Sequence, residues 1–225
     1  MTAETHHRPS VDAGAAQAIR RLGGAGPSRL GVMGGTFDPA HIGHLVAASE
    51  ALHAFALDLV LFMPAGRPWQ KSDYSDPEDR LMMAMLAASC HPRFAVSRME
   101  LDRTGPTYTA DTMEALRDFY GDSVQLFFIA GADAIQKLGT WRGVERLKQL
   151  AEMIAVTRSG YDISGLEEGP GWPRIHTLEI PGIAVSSTLI RRRVRDGKPI
   201  DFLVPAGVAD YIREHGLYAG APRSE

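Results

Sequence analysis

Downstream of residue 28 two hydrophobic patterns take turns along the chain. Short apolar runs, RLGVMGG, DLVLFMP, RFAVSRMEL, VQLFFIAG, MIAVTRS and RIHTLEI, read as strands. DLVLFMP and VQLFFIAG lack an inside–outside alternation, the pattern of strands buried on both faces of a parallel sheet. Between and after them, HLVAASEALHAFAL, SDPEDRLMMAMLAAS, TADTMEALRDFYG, VERLKQLA, SSTLIRRRVRDG and PAGVADYIREHG carry helical spacing. Asp76 is placed to cap the second of these helices, with Pro77 in its first turn. Glycine closes the third and both C-terminal ones.

Strands alternating with helices predict an α/β fold: a Rossmann-like, doubly wound, mostly parallel sheet in a single domain with a small C-terminal helical part. Ligands of such sheets bind beyond the carboxyl ends of the strands, where the strand order reverses. The places to inspect are therefore Gly34–His44, Pro64–Lys71, Ala130–Asp133 and the start of the Ser187 helix. Residues 1–28 are rich in Ala, Gly and polar groups without strand or amphipathic pattern, and read as a mobile extension before a domain over 29–219.

Composition narrows the class. At 225 residues, 44% hydrophobic and 23% charged, the chain suits one soluble domain. A net charge of −3 provides no global basic field for nucleic acid, so any polyanion site is local. Cys90 is the only cysteine, which excludes an intrachain disulfide and suits a reducing cytoplasm. No apolar run approaches the roughly 20 residues that span a bilayer, and the N-terminus has no signal-peptide core.

The stretch GVMGGTFDPAHIGHL carries the candidate chemistry. Gly34 and Gly35 permit a tight turn with close backbone approach, and a helix starting near Gly43 aims free N–H groups and a positive dipole end at it. His41 and His44, at i and i+3, share one side of the first turn and can donate to phosphate oxygens that gain charge. The alternatives are a plain turn, or metal ligands lacking a nearby third. Neither a Walker loop nor a dinucleotide fingerprint is present. A second cationic start lies at VSSTLIRRRV, where Ser186 or Ser187 can cap a helix. Arg191, one turn on, suits an anion, whereas Arg192, Arg193 and Arg195 read as a solvated basic face.

GGTFDPxHxGH with a later SSTxxR resembles the nucleotidyltransferase superfamily with the HIGH motif. TGPTYTADT, IAGADAIQKLGTW and VSSTLIRRRV narrow the resemblance to the bacterial nicotinate mononucleotide adenylyltransferases, over about Leu30 to Tyr218. That resemblance implies direct attack of nicotinate mononucleotide on ATP, with Mg2+ accompanying the nucleotide and no covalent enzyme intermediate. It implies that Gly34, Gly35, Thr36 and Phe37 form the turn against the nucleotide, that His41 and His44 bind phosphates, and that Ser187, Thr188 and Arg191 hold the triphosphate. Gly131 and Asp133 would face the ribose or the shared centre; the alternative for Asp133 is an ordinary N-cap of the next helix, and the two readings are compatible. Trp141 would stack on the pyridine, and Tyr108 and Thr109 would offer backbone amides to its carboxylate. Many relatives end the Pro-rich loop after the second strand in His-Lys or His-Arg. Here Gln70 precedes Lys71, which still brings a charge to phosphate, and the Ala65–Asp73 loop reads as a substrate-dependent lid. The competing readings are a sister activity, such as phosphopantetheine adenylyltransferase or a cytidylyltransferase, and a non-enzymatic nucleotide-binding regulator.

Overall fold

The computed structural model describes residues 26–66, 74–158 and 171–219. Expectations for residues 1–25, for the 67–73 stretch that holds Lys71, and for most of the GYDISGLEEGPGWP segment lie outside the described residues. The strands are β1 (Arg29–Gly35), β2 (Leu59–Pro64), β3 (Phe94–Val96), β4 (Gln125–Gly131), β5 (Glu152–Arg158) and β6 (Ile175–Ile180). They form one sheet in the order β3-β2-β1-β4-β5-β6, and every neighbouring pair is parallel. The helices are α1 (Ile42–Ala54), α2 (Pro77–Ala88), α3 (Thr109–Tyr120), α4 (Ala132–Ile135), α5 (Val144–Leu150), α6 (Ser187–Arg195) and α7 (Ala206–Glu214).

The continuous apolar strands are explained by a core on each face. Along β2, Val60 and Phe62 join one cluster and Leu59, Leu61 and Met63 the other. Phe127 and Ile129 of β4 pack on the first face, Leu126 and Phe128 on the second. The first cluster is closed by α1, α2, α6 and α7, the second by α3 and α5. Small residues at the buried positions of α1, Ala47, Ala48 and Ala51, let that helix lie close to the sheet. Truncating a fully buried ring such as Phe62 to alanine would cost about 3–5 kcal/mol.

Local chemistry sets the element ends. Asp76 caps α2 by accepting from the Glu78 N–H at 2.9 Å, with Pro77 at the first helical position. The first helix ends at Ala54, three residues before its apolar spacing does. Ala56 takes φ +46° and the Leu57 N–H returns to the Leu52 carbonyl, a Schellman end without glycine. The RFAVSRMEL strand is shorter than its pattern. β3 pairs only through Val96, after which Arg98–Asp102 turns back, with Asp102 and Leu101 N–H groups on the Arg98 carbonyl. After β4, where Asp133 was read as the N-cap of a helix, the chain forms the short α4 and a 3-10 turn at Leu138–Thr140.

At the amino ends of the strands a polar chain crosses four of them. Arg29 donates to Gln125, Gln125 Nε2 to Glu152 Oε1 at 2.7 Å, and His176 Nε2 lies 2.5 Å from Glu152 Oε2. Burial alone would raise the Glu152 carboxyl, but hydrogen bonds from His176 and Gln125 and the charges of His176 and Arg174 hold it below the ordinary value. A depressed carboxylate adds stability above its unfolded pKa of about 4.3 and loses it as pH falls through the folded value. Glu152→Gln is therefore expected to flatten the loss of stability on acidification below about pH 4.5. Urea midpoints for both proteins between neutral pH and pH 3 would test this, and an unchanged acid limb would contradict it.

Candidate active site

The strand order reverses between β1 and β4, and the cleft opens beyond their carboxyl ends. The first turn starts at Gly34, where an added Cβ would lie 2.5 Å from the Phe128 ring, so no side chain fits. Phe37 has φ +52°, an uncommon conformation for a non-glycine residue. Its buried ring, packed 5.5 Å from Phe62 and edge-on to His44 at 5.0 Å, holds it there.

His41 is the N-cap of α1 and His44 its third residue. The His41 backbone N–H donates to His44 Nδ1 at 3.1 Å, so Nδ1 carries the lone pair and a neutral His44 ring has its proton on Nε2. The two rings stack, with centroids 3.7 Å apart and 22° between planes.

The segment after Phe37 brings the second helix start into place. Ser186 caps α6, its Oγ accepting from the Leu189 N–H at 3.1 Å. The Ser187 hydroxyl donates to the Pro39 carbonyl at 2.9 Å, and Arg191 Nη1 donates to the Asp38 carbonyl at 2.7 Å. The buried Asp38 carboxylate accepts from the Tyr218 hydroxyl at 2.6 Å and the Ser75 N–H at 3.3 Å, with Arg191 Nη1 3.7 Å away. With the Ser187 hydroxyl committed as a donor, what α6 offers an anion is the main-chain N–H of Ser187 and Thr188 together with Arg191.

The first turn and the two helix starts line one cavity of about 650 Å³. Gly34, Gly35, Thr36, Phe37, His41 and His44 come from one side, Ser187, Thr188 and Arg191 from the other, and Gly131 and Asp133 from the end of β4. Asp133 is not a helix cap. Gly131 is the N-cap of α4, and Asp133 sits inside its first turn. A second cavity of about 270 Å³ adjoins the first, and Gly34, Gly35, Thr36 and Ala130 line both. Tyr108 and Thr109, at the start of α3, and Trp141 line the second. Trp141 is edge-on to Phe128, with centroids 5.8 Å apart.

Sequence reasoning overlooked three groups. Fully buried Arg80 donates to the carbonyls of Thr36 at 3.1 Å, Ala65 at 2.7 Å, Ser75 at 3.1 Å and Gly66 at 3.3 Å. It thereby joins the first turn to the end of β2 and the approach to α2. Its signal was a charge on the apolar stripe with Met83, Ala84 and Ala87. Glu100, also buried, lines the second cavity. Burial pushes its carboxyl up, opposed by hydrogen bonds from the Thr112 and Thr107 hydroxyls, the charge of Arg103 and the Gly66 N–H. Arg142, exposed beside Trp141, lines the same cavity.

Tyr218 stabilises this arrangement from the far end of the chain. Burial, then the hydrogen bond to Asp38 and its charge, push the phenol far above its ordinary value, so it remains a donor. Tyr218→Phe leaves the Asp38 carboxylate one partner short. Urea denaturation should register a loss of about 1.5–3 kcal/mol, the range for hydrogen bonds to charged groups.

Against known proteins, residues 32–193 match the cytidylyltransferase-like family. A probable nicotinate-nucleotide adenylyltransferase of Corynebacterium kroppenstedtii is 50% identical over 192 residues, covering 84% of this chain and 90% of that one. One from Moorella thermoacetica is 50% identical over 200 residues, covering 85% and 92%. In three dimensions the fold is similar to Plasmodium falciparum nicotinic acid mononucleotide adenylyltransferase complexed with NaAD, with a TM-score of 0.69 at 19% identity, over 84% of this chain and 97% of that one.

Proposed function

Because the chain belongs to the nicotinate-nucleotide adenylyltransferase family, we propose that the larger cavity binds ATP and the smaller one nicotinate mononucleotide. The enzyme joins them into nicotinate adenine dinucleotide, releasing pyrophosphate, in NAD synthesis. What supports the division of substrates is the wall the two cavities share at Gly34–Thr36 and Ala130. Two molecules in adjoining cavities meet only there, so the attacking phosphate and the α-phosphate of ATP belong beside the first turn.

The mononucleotide phosphate is already anionic, so attack needs alignment and charge stabilisation rather than a general base. As pyrophosphate leaves, charge moves onto the β- and γ-phosphates. The His44 Nε2–H, the His41 ring, the N–H groups at the start of α6 and Arg191 surround that end of the larger cavity. Thr36 and Phe37 bound it at the turn, and Gly131 and Asp133 at the end of β4 suit the ribose. Tyr108, Thr109 and Trp141 take the pyridine nucleotide. Lys71, outside the described residues, is proposed to bring a further charge to phosphate. Magnesium is proposed to arrive on the triphosphate rather than on a dedicated protein site. Bound there, it would neutralise phosphate charge, and Asp133 is the carboxylate in the lining that could accept from its waters.

His44→Ala is expected to lower kcat about 100-fold or more, the scale for losing one preorganised donor. Steady-state turnover with ATP, magnesium and nicotinate mononucleotide checks this, and an unimpaired variant would remove His44 from the chemistry. Pyrophosphate release that required phosphopantetheine or CTP instead would overturn the substrate assignment.

A further inference from the structure

Arg191 reaches the larger cavity from α6 with its donors divided. Nη1 donates to the Asp38 main-chain carbonyl at 2.7 Å and lies 3.7 Å from the Asp38 carboxylate, beyond hydrogen-bond distance. Among the described residues Nε and Nη2 have no acceptor within reach. The guanidinium is therefore anchored at one nitrogen and keeps the others for an anion. Beside it stands a competitor. The Asp38 side chain is only 3% exposed, and a buried carboxylate draws a guanidinium into a two-point pair wherever its oxygens are open.

Those oxygens are occupied. The Tyr218 hydroxyl donates to Oδ1 at 2.6 Å and the Ser75 N–H to Oδ2 at 3.3 Å. The tyrosine makes the shorter bond, and the chain bends to deliver it. Past α7 it turns through Gly216 at φ +60°, the Leu217 N–H closes on the Ile212 carbonyl at 3.0 Å, and Tyr218 itself takes φ +63°. A tyrosine in the left-handed region is uncommon, and such a conformation persists only where its surroundings hold it. Here they are the Asp38 carboxylate and the Met83 sulfur, 3.7 Å from the hydroxyl. Tyr218 lines neither of the two cavities, so it acts on a substrate only through what Asp38 does to Arg191.

Resting on the assignment of ATP to the larger cavity, we propose that Tyr218 is a positioning residue. By occupying Asp38 Oδ1 it keeps Arg191 out of a closed ion pair with that carboxylate and leaves the outer guanidinium nitrogens to the β- and γ-phosphates. Without the hydroxyl the buried carboxylate is one donor short. Among the described residues Arg191 is the cation within 4 Å of it, whereas Arg80 is held by four carbonyls. Drawn onto the carboxylate, Arg191 turns from the cavity and the triphosphate loses a charge-assisted contact. The smaller cavity contains none of Asp38, Ser75, Arg191 and Tyr218, so the mononucleotide is not affected.

Steady-state kinetics with each substrate varied test this in wild type, Tyr218→Phe, Arg191→Gln and the double variant, well below the unfolding temperature of each. Tyr218→Phe keeps the ring. It is expected to raise the KM for ATP and the inhibition constant of pyrophosphate about tenfold, with the KM for nicotinate mononucleotide within about twofold of wild type. In the Arg191→Gln background the same change should add no more than about twofold, since no guanidinium is left to divert. A Tyr218→Phe enzyme that is folded by far-UV circular dichroism and has the wild-type KM for ATP overturns the proposal. So does an equal rise for both substrates, or effects that multiply fully in the double variant, as a general loosening of the fold would give. A crystal structure of the wild type with pyrophosphate needs no variant. The tyrosine hydroxyl on Asp38 and the outer Arg191 nitrogens on the anion are expected there, and Arg191 paired with the carboxylate instead contradicts the proposal. A wild type without turnover of ATP and nicotinate mononucleotide would sink the substrate assignment. Calorimetry with pyrophosphate alone, on wild type and Tyr218→Phe, then still decides the role of the tyrosine.

Discussion

The site depends on one buried carboxylate. Asp38 gathers elements that are far apart in sequence: Ser75 before α2, Arg191 on α6 and Tyr218 after α7. An ionised carboxylate in the interior is tolerated only where hydrogen bonds and opposite charge compensate for the lost water. Meeting that requirement obliges α6 to sit with its start against the first turn. The Ser187 hydroxyl on Pro39 and the Arg191 contact with the Asp38 carbonyl repeat the same connection through the main chain. Convergence of two helix starts on one cavity thus follows from satisfying an internal charge.

A buried arginine does comparable work on the other side of the turn. Four carbonyls from the first turn, the end of β2 and the approach to α2 point at Arg80, and only a long side chain with several fixed donors can serve them together. Gly66 is held twice, its carbonyl by Arg80 and its N–H by Glu100. Through that one residue the turn beside the larger cavity is connected to the wall of the smaller one.

Strand identity and the two histidines were legible because each depends on local pattern. Uninterrupted apolar runs admit few readings other than strands covered on both faces, and glycine at residue 34 answers to the nearby Phe128 ring. Long-range compensation was not legible. Nothing around Asp38 announces that Tyr218 will reach it, and Arg80 sits in what reads as an ordinary helix. The RFAVSRMEL run was over-extended because its residues after Val96 are equally compatible with the turn that Arg98 and Asp102 form. Asp133 was misplaced as a cap because the helix after β4 begins one residue after the strand ends, with Gly131 in the capping position. Tyr108, Thr109 and Trp141 share a cavity although more than thirty positions separate the pair from the tryptophan, and only family resemblance connected them beforehand.

The wall common to the two cavities has a consequence for the end of the catalytic cycle. On the proposed division of substrates each would occupy one chamber, whereas the joined dinucleotide would occupy both. It is a bivalent ligand, and once one half lets go the other keeps it at high local concentration. The product therefore leaves less readily than either precursor would alone. On the same assignment, loss of pyrophosphate would remove the anion proposed to engage the two helix starts, and departure of the dinucleotide, rather than bond making, would set the pace of turnover.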